Sequence, residues 1–405
     1  MESLRILFIS PYLPSLIRVR PYNLIQYLAR RGHQITLLAL VPPNEDESGL
    51  DDLRAWCHQV KTIPLPRRRT YWNALRALPS QTPLQAAYSR SPEMAALIQQ
   101  TQAQMNFDVA HVEHMRGSEL SFAVKDIPLV FDSVDSISLL FDRVSQAGPT
   151  LKSRLLAKFE IGRNRRYEGK LLELYPRVLV TSPHDQEALI DLSTTPQAKE
   201  RIVVLPNGVD LDYFTPMDTP RDPATLIFTG KMSYHANVAA AETLVTQIMP
   251  LIWQQMPEVK LLIVGKDPPD HLRAQTEDGR ITVTGFVPDI RPYLAQATIS
   301  VLPMQYGVGI QNKALEAMAM VTPVISTPQS VSALQAQIGQ DVMVAETPAA
   351  MVEQAVLLLN NMKLRESIGR AGRHYVETHH DWDKVVERLE AVYQAAIFDT
   401  KKQIP

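Results

Sequence analysis

Residues 299–320 read ISVLPMQYGVGIQNKALEAMAM. The short apolar run 299–303 suits a strand buried in a parallel sheet, the glycines at 307 and 309 supply a tight turn, and the small and apolar residues after Asn312 suit a helix. In an open parallel sheet, ligands gather at the carboxyl ends of strands. A helix that starts there offers unpaired amide N–H groups and the positive end of its dipole to an anion. Lys313 and Glu316 lie three apart at the start of that helix and share a face. An ammonium and a carboxylate beside free amides suit a nucleotide diphosphate, the first meeting phosphate and the second accepting ribose hydroxyls. An isolated Lys-x-x-Glu is more often a solvated ion pair, so the strand, the glycines and the helix carry the reading. The dinucleotide fingerprint fails here, because its third glycine is Asn312 and no acidic residue follows about 20 positions on.

The same strand-then-helix punctuation extends outward in both directions. Toward the start of the second half, residues 224–230 (ATLIFTG), 260–265, 281–285 and 299–303 read as strands, and 323–327 as one more. In the first half, residues 4–10 (LRILFIS) predict a buried strand, 22–31 a helix stopped by Gly32, and 34–40 a second strand. Residues 107–112, 128–132 and 177–181 continue the series. Two doubly wound α/β domains are therefore expected, over 1–205 and 206–380, joined near LPNGVDLDYFTP (205–216), where prolines and an Asn-Gly turn interrupt the pattern. Residues 381–405 predict a helix whose stripe of Trp382, Val385, Val386, Leu389, Val392 and Tyr393 packs either back across the joint or within the second domain.

Composition narrows the function classes. The 41 basic and 43 acidic residues nearly cancel, so no global field draws nucleic acid and any affinity for anions is local. One cysteine, Cys57, excludes an internal disulfide and a cysteine-built zinc site. No basic leader with a long apolar core is seen, and no stretch reaches the roughly 18 apolar residues that cross a bilayer. The expectation is a cytoplasmic protein able to sit peripherally on the inner face of the membrane. Two basic runs bear on that last point: Arg67, Arg68 and Arg69, and Arg163, Arg165 and Arg166 on a predicted helix. They read as contact with anionic lipid or as solvated arginines. In the first domain, His111, Glu113 and His114 cluster at a strand end, and Asp132 and Asp135 end the next strand, placed to bind hydroxyls or to cap a helix.

Residues 307–320 resemble the donor-binding helix of the family 4 glycosyltransferases. That family usually carries two glutamates separated by seven residues and an EAMA-like end; Glu316–Ala319 matches the second glutamate, while the first falls on Val308. A subset linked to exopolysaccharide export carries GIQNK followed by LEAMAM, and Gly309–Met320 is similar to it almost letter for letter. The resemblance implies the GT-B fold, two Rossmann-like domains facing across a cleft, with the acceptor on the first and a nucleotide-sugar donor on the second. It assigns donor contacts to Gly230 and Lys231, to Val287 in the turn Gly285-Phe286-Val287, to Gly309, Ile310, Gln311, Asn312, Lys313 and Glu316, and to Arg20. A second basic residue, usual six positions after Lys231, is Asn237, so Lys313 is expected to supply that charge. The loop after the first strand, Leu13-Pro14-Ser15-Leu16, lacks the family's glycines.

The acceptor side follows as His111, His114, Asp132 and Asp135, with Glu113 at a position often held by a catalytic histidine. The partners implied are a nucleotide-diphosphate sugar and a glycan or lipid-linked acceptor, with no metal or other cofactor. Retention of configuration by front-face displacement is the implied course, with Lys231, Lys313 and the helix N-terminus stabilising the departing diphosphate. Asp210-x-Asp212 imitates a metal motif of unrelated transferases but falls in the joint. Val308 and Leu16 leave open a GT-B-like binding or scaffold protein without catalysis, which turnover of a nucleotide sugar would distinguish.

Overall fold

Runs of four to eight apolar residues, too short to make buried helices, pair here into two parallel sheets. The computed structural model describes residues 2–43, 45, 47, 49–147, 150–193, 198–304 and 311–403. It divides into one unit of Met1–Pro206 with Val385–Pro405, and another of Asn207–Lys384. In the first unit, β1 (Arg5–Ser10), β2 (Gln34–Val41), β3 (Gln59–Pro64), β4 (Val109–Glu113), β5 (Leu129–Val134), β6 (Arg177–Val180) and β7 (Ile202–Val204) form a sheet ordered β3-β2-β1-β4-β5-β6-β7. In the second, β8 (Thr225–Thr229), β9 (Lys260–Val264), β10 (Ile281–Val283), β11 (Ile299–Leu302), β12 (Val324–Ser326) and β13 (Met343–Val344) are ordered β10-β9-β8-β11-β12-β13. Every pairing is parallel. Both are doubly wound Rossmann-like sheets, whose strand order reverses between β1 and β4 and between β8 and β11. Those are the points where such folds hold ligands.

Burial explains which strands the sequence announces. Ile6, Leu7, Phe8 and Ile9 of β1 have no exposed surface, and helices cover both sides of the sheet, so the run is apolar throughout rather than alternating. Each such side chain contributes on the order of 1.5–3 kcal/mol. The strands the sequence does not announce are β3, β7 and β13, all at sheet edges: β3 mixes polar with apolar residues and ends in a proline, while β7 and β13 are apolar but only three and two residues long. The predicted strands match the observed ones to within two residues at each end, and the helix expected at 22–31 begins three residues earlier, as Val19–Arg30.

The C-terminal helix, Trp382–Gln403, starts in the second unit and belongs to the first from Val385 onward. In the second unit, Trp382 packs against Gly208, where a Cβ would come within 2.5 Å of the indole. His380 bonds the Asn207 carbonyl through Nδ1 at 2.7 Å and accepts from Val209 N through its own carbonyl. In the first unit, Glu390 takes a two-pronged bond from Arg31 at 2.7 and 2.9 Å and a third from His33 at 2.8 Å. A carboxylate so satisfied fixes the helix in one register. Among the described residues, no helix is long and apolar enough to cross a membrane.

Candidate active site

In the second unit the site is built where β8 and β11 run side by side, with Ile299 opposite Leu226 and Ser300 opposite Ile227. Their carboxyl ends open onto two helices, His235–Thr243 and Asn312–Ala319. Neither helix has a side chain capping its first amides; Asn237 N and Ala314 N turn back onto the carbonyls of Tyr234 and Gln311, and the positive dipole end of each helix faces the strand ends. Lys313 Nζ donates to Asn237 Oδ1 at 2.7 Å, and Asn237 Nδ2 donates to the Lys231 carbonyl at 2.8 Å. One buried amide thus ties the helix bearing Lys313 to the loop bearing Lys231. The Lys313 ammonium also lies 5.5 Å from the centre of the Phe228 ring. The place of the family's second basic residue is filled by Asn237, and a cation reaches it from the neighbouring helix.

Two glycines make the loop possible. Gly265 has φ +155°, and a Cβ there would meet the Gly230 carbonyl oxygen at 1.9 Å; a Cβ on Gly230 would meet the Asn237 amide at 2.8 Å. The ends of β8 and β9 can therefore approach, Gly230 N donating to Val264 O and Met232 N to Lys266 O. Asn312, at the start of its helix, is held by Asn207 Nδ2 at 3.5 Å. Gly285 takes φ +73° in the turn after β10, Phe286 is left exposed, and Val287 is half-buried against the unit's core. Lys231 is exposed. Gln311 precedes the helix in extended conformation; Gly307, Val308, Gly309 and Ile310 lie outside the described residues.

Burial lowers the Lys313 ammonium to about 8, against the opposing pull of Glu316. It pushes the Glu316 carboxyl up to about 7, with Lys313 drawing it back. Both groups, although part of their surface stays open, are desolvated enough that the charged form of each is disfavoured.

In the first unit, Arg20 and Asp132 form one buried ion pair, Nε to Oδ2 at 2.7 Å, and Arg20 Nη1 also donates to the Leu205 carbonyl at 3.0 Å. The two residues that the sequence assigns to donor and acceptor are thus each other's partners. Glu113 is 1% exposed; its Oε1 accepts from the Tyr12 hydroxyl at 2.9 Å, while Oε2 lies 3.7 Å from His111 Nε2, too long for a hydrogen bond. His111 stacks on Phe8 and bonds the Tyr393 hydroxyl at 2.9 Å through Nδ1. His111 Nε2 and Glu113 Oε2 have no hydrogen-bond partner among the described residues. Burial raises the Glu113 carboxyl, with Asp132 adding to the rise and His111 and Arg20 opposing it.

His111, Glu113 and Asp132 bring three ligand atoms within 4.8 Å of one another, a spacing a metal ion could use. The guanidinium 2.7 Å from Asp132 Oδ2 already places a positive charge on one of them, where it would compete with a second cation. His114 and Asp135 are half-buried at the same strand ends. His114 sits at φ +60°, its Nδ1 accepts from Arg116 N, and burial with Arg116 and Arg18 lowers it to about 3, leaving a neutral imidazole. Burial and Asp185 push Asp135 up to about 6. Val134, between the two aspartates, is a β-branched residue at φ +68° where β5 loses register with β6. Such strain gathers at functional sites.

Neither aspartate caps the next helix. Ile137 N and Ser138 N, at the start of Ile137–Ala147, donate to the two oxygens of Glu168 at 2.6 and 3.1 Å. Asp210 Oδ1 accepts from Asp212 N and Tyr213 N, a local turn rather than a ligand pair. In the loop after β1, Ser15 Oγ accepts from Ile17 N and Arg18 N, and Leu16 is 69% exposed. Tyr12 and Glu168 are members of these networks that the sequence does not announce, and Tyr393 reads there only as part of an apolar stripe, since a lone tyrosine or glutamate carries no spacing signal.

Comparison with known proteins bears on both units. The model for glycosyltransferase family 4 matches residues 18–213, and that for glycosyl transferases group 1 matches residues 223–361. The chain is 24% identical over 416 residues to a phosphatidyl-myo-inositol mannosyltransferase of Mycobacterium tuberculosis, covering 96% of this chain and 97% of that one. It is 23% identical over 326 residues to D-inositol 3-phosphate glycosyltransferase 1 of Catenulispora acidiphila, covering 72% and 73%. Among solved structures, it resembles Anabaena Alr3699/HepE in complex with UDP, with a TM-score of 0.69 at 15% identity over 97% of this chain and 100% of that one. A glycosyltransferase from Rickettsia africae has a TM-score of 0.68 at 14% identity over 98% and 99%.

Proposed function

This chain belongs to the family 4 glycosyltransferases of the GT-B fold, and from that we propose that it moves a sugar, with retention, from a nucleotide-diphosphate donor to a hydroxyl of a glycan or lipid-linked acceptor. The observation that carries this reading is the junction Lys313–Asn237–Lys231 at the switch point of the second sheet, with two uncapped helix N-termini opening onto it. That is a cradle for a diphosphate. The complexes of Alr3699/HepE with UDP and UDP-glucose support a nucleotide sugar as donor. The phosphatidylinositol and inositol phosphate relatives support a glycoconjugate product, and the likeness of residues 309–320 to the export-linked subset supports polysaccharide assembly on the cytosolic side.

In the front-face course, the bond from the anomeric carbon to the diphosphate breaks while the acceptor oxygen bonds to the same face. The acceptor proton passes to the departing phosphate oxygen. Lys231, Lys313 and the amides after Gln311 meet the charge that builds on the leaving diphosphate, a role that asks for no metal. Glu316 takes the ribose hydroxyls. Arg20, locked to Asp132, braces the end of β5 from below, and Glu113 positions the ends of β1 and β4 through Tyr12. His114 and Asp135, which keep exposed surface, contact the acceptor. Incubation with a panel of nucleotide sugars and glycan or lipid acceptors, followed by proton NMR of the linkage, is expected to show the donor's anomeric configuration preserved. An inverted linkage would overturn retention, and no turnover with any donor would overturn transfer.

Binding of a nucleoside diphosphate is expected to follow a bell-shaped pH dependence. Lys313 must be charged to meet phosphate, so affinity falls as pH rises through about 8. Glu316 must be ionised to accept hydroxyls, so affinity also falls as pH drops below about 7. Calorimetric titration across that range should find its maximum between the two; a flat or steadily rising profile would contradict the assignment.

A further inference from the structure

Helix Arg67–Ala77 is turned inside out. Its buried side chain is Ala77, while Tyr71 is 72% exposed, Trp72 60% and Leu75 56%, and these lie on one face with Arg68 and Arg76. The long helix Leu151–Leu174 repeats the arrangement in its first turns. Leu151, Leu155 and Phe159, spaced four apart, are 75%, 58% and 50% exposed and stand between Arg154 and Lys158 on one flank and Lys152 on the other. Its opposite face, Ala157, Glu160, Asn164 and Tyr167, is the buried one. The two apolar ridges meet at Arg163, whose guanidinium lies 4.2 Å from the centre of the Phe159 ring and donates to the carbonyl of Leu78, itself 45% exposed. Residues 67–79 and 151–166 together hold ten lysines and arginines against one acid, Glu160, in a chain whose net charge is −2. Arg69 pairs with Glu93, Arg163 with Glu160 and Arg165 with Asp142, so these acids answer part of that charge and the two segments keep a net positive balance.

We propose that this double ridge is a docking surface for an anionic lipid bilayer, with Trp72, Tyr71, Leu75, Leu155 and Phe159 entering the headgroup boundary and the flanking lysines and arginines meeting the lipid charge. A soluble fold gains nothing by facing large apolar side chains to water, and isolated ones need no account, but two exposed helical stripes linked through Arg163 do. Interleaved positive charge selects the occupant. An apolar protein partner would not require ten basic residues, whereas an anionic interface rewards both parts at once, tryptophan and tyrosine at headgroup depth and cations at the charged plane. The surface is independent of the donor cradle, so loss of vesicle binding and loss of nucleotide binding are separable results.

The test is co-sedimentation of the full chain with vesicles of phosphatidylcholine alone and of phosphatidylcholine with phosphatidylglycerol. Binding is expected only to the anionic vesicles and should weaken as salt shortens the reach of the charges. Trp72→Glu and Leu155→Glu should each lower the partition coefficient by about tenfold or more, and Arg68→Glu with Lys158→Glu should lower it comparably, all without change in nucleoside diphosphate affinity. Equal partition onto neutral and anionic vesicles, or none onto either, would overturn the proposal. So would a dimer in sedimentation without lipid that Trp72→Glu dissolves, which would give the face to a second copy of the chain.

Discussion

Lys313→Ala is expected to weaken binding of a nucleoside diphosphate by about 10- to 100-fold, the equivalent of one charge-assisted contact worth roughly 1.5–3 kcal/mol. The ammonium is placed by its bond to Asn237 Oδ1 at 2.7 Å, so it waits in position and needs no reordering when the ligand arrives. Lys313→Met, which keeps the length and packing of the stem, should lose as much, because the charge does the binding. Stability should change by no more than about 1 kcal/mol: the ammonium is partly desolvated, which lowers it to about 8, and water can take its place at Asn237. Calorimetric titration beside a thermal melt checks both halves. Unaltered affinity in either variant would remove Lys313 from the site.

Asp132→Ala should cost about 3–5 kcal/mol of unfolding free energy, because it strips a hydrogen-bonded anion from a buried guanidinium. Arg20 is 5% exposed and Asp132 has no exposed surface. The remaining acceptors of Arg20 include the carbonyls of Leu205 and Pro206 at 3.0 and 3.4 Å. Asp132 Oδ1 also accepts from Val134 N, at the strained turn that ends β5, so the same change loosens the backbone beside Asp135. Asp132→Asn, which keeps an acceptor but loses the charge, should fall between. Pairing Asp132→Leu with Arg20→Met should recover most of the loss, since a well-packed apolar pair replaces a buried ion pair at little net cost. Urea unfolding of Asp132→Leu, Arg20→Met and the pair, beside the parent chain, closes the double-mutant cycle. A cost below about 1 kcal/mol for Asp132→Ala would mean that Arg20 is not held as described.

The two sheets were legible because their central strands are buried on both faces and must be apolar end to end: residues 4–10 and 224–230 leave little else to read. The edge strands β3, β7 and β13 were not: Gln59, Lys61 and Thr62 break the apolar run of β3, and β7 and β13, though apolar, last only three and two residues. The donor loop was legible through its glycines and Lys313, which chemistry constrains within a few positions. What joins Lys313 to Lys231 was less so: Asn237 reads as a missing cation, and only the fold shows its amide, 76 residues from Lys313, bridging that helix to the loop of Lys231. The first-unit cluster failed in a different way. Glu113, Asp132 and His111 stand at strand ends as expected, but the sequence carries no measure of depth, and all three lie beneath the surface with Tyr12, Arg20 and Tyr393 as partners. The basic runs were visible in the sequence, but the outward orientation of Tyr71, Trp72 and Leu155 was not, because spacing along a helix carries no measure of exposure.

Hydrogen–deuterium exchange of the full chain with and without a nucleoside diphosphate tests the central claim most directly, since it reports where the anion sits without depending on turnover. Protection is expected in peptides spanning residues 229–238 and 311–319, the two uncapped helix starts and the loop between Gly230 and Asn237. Protection that spares both segments while the nucleotide binds would place the diphosphate elsewhere and contradict the account.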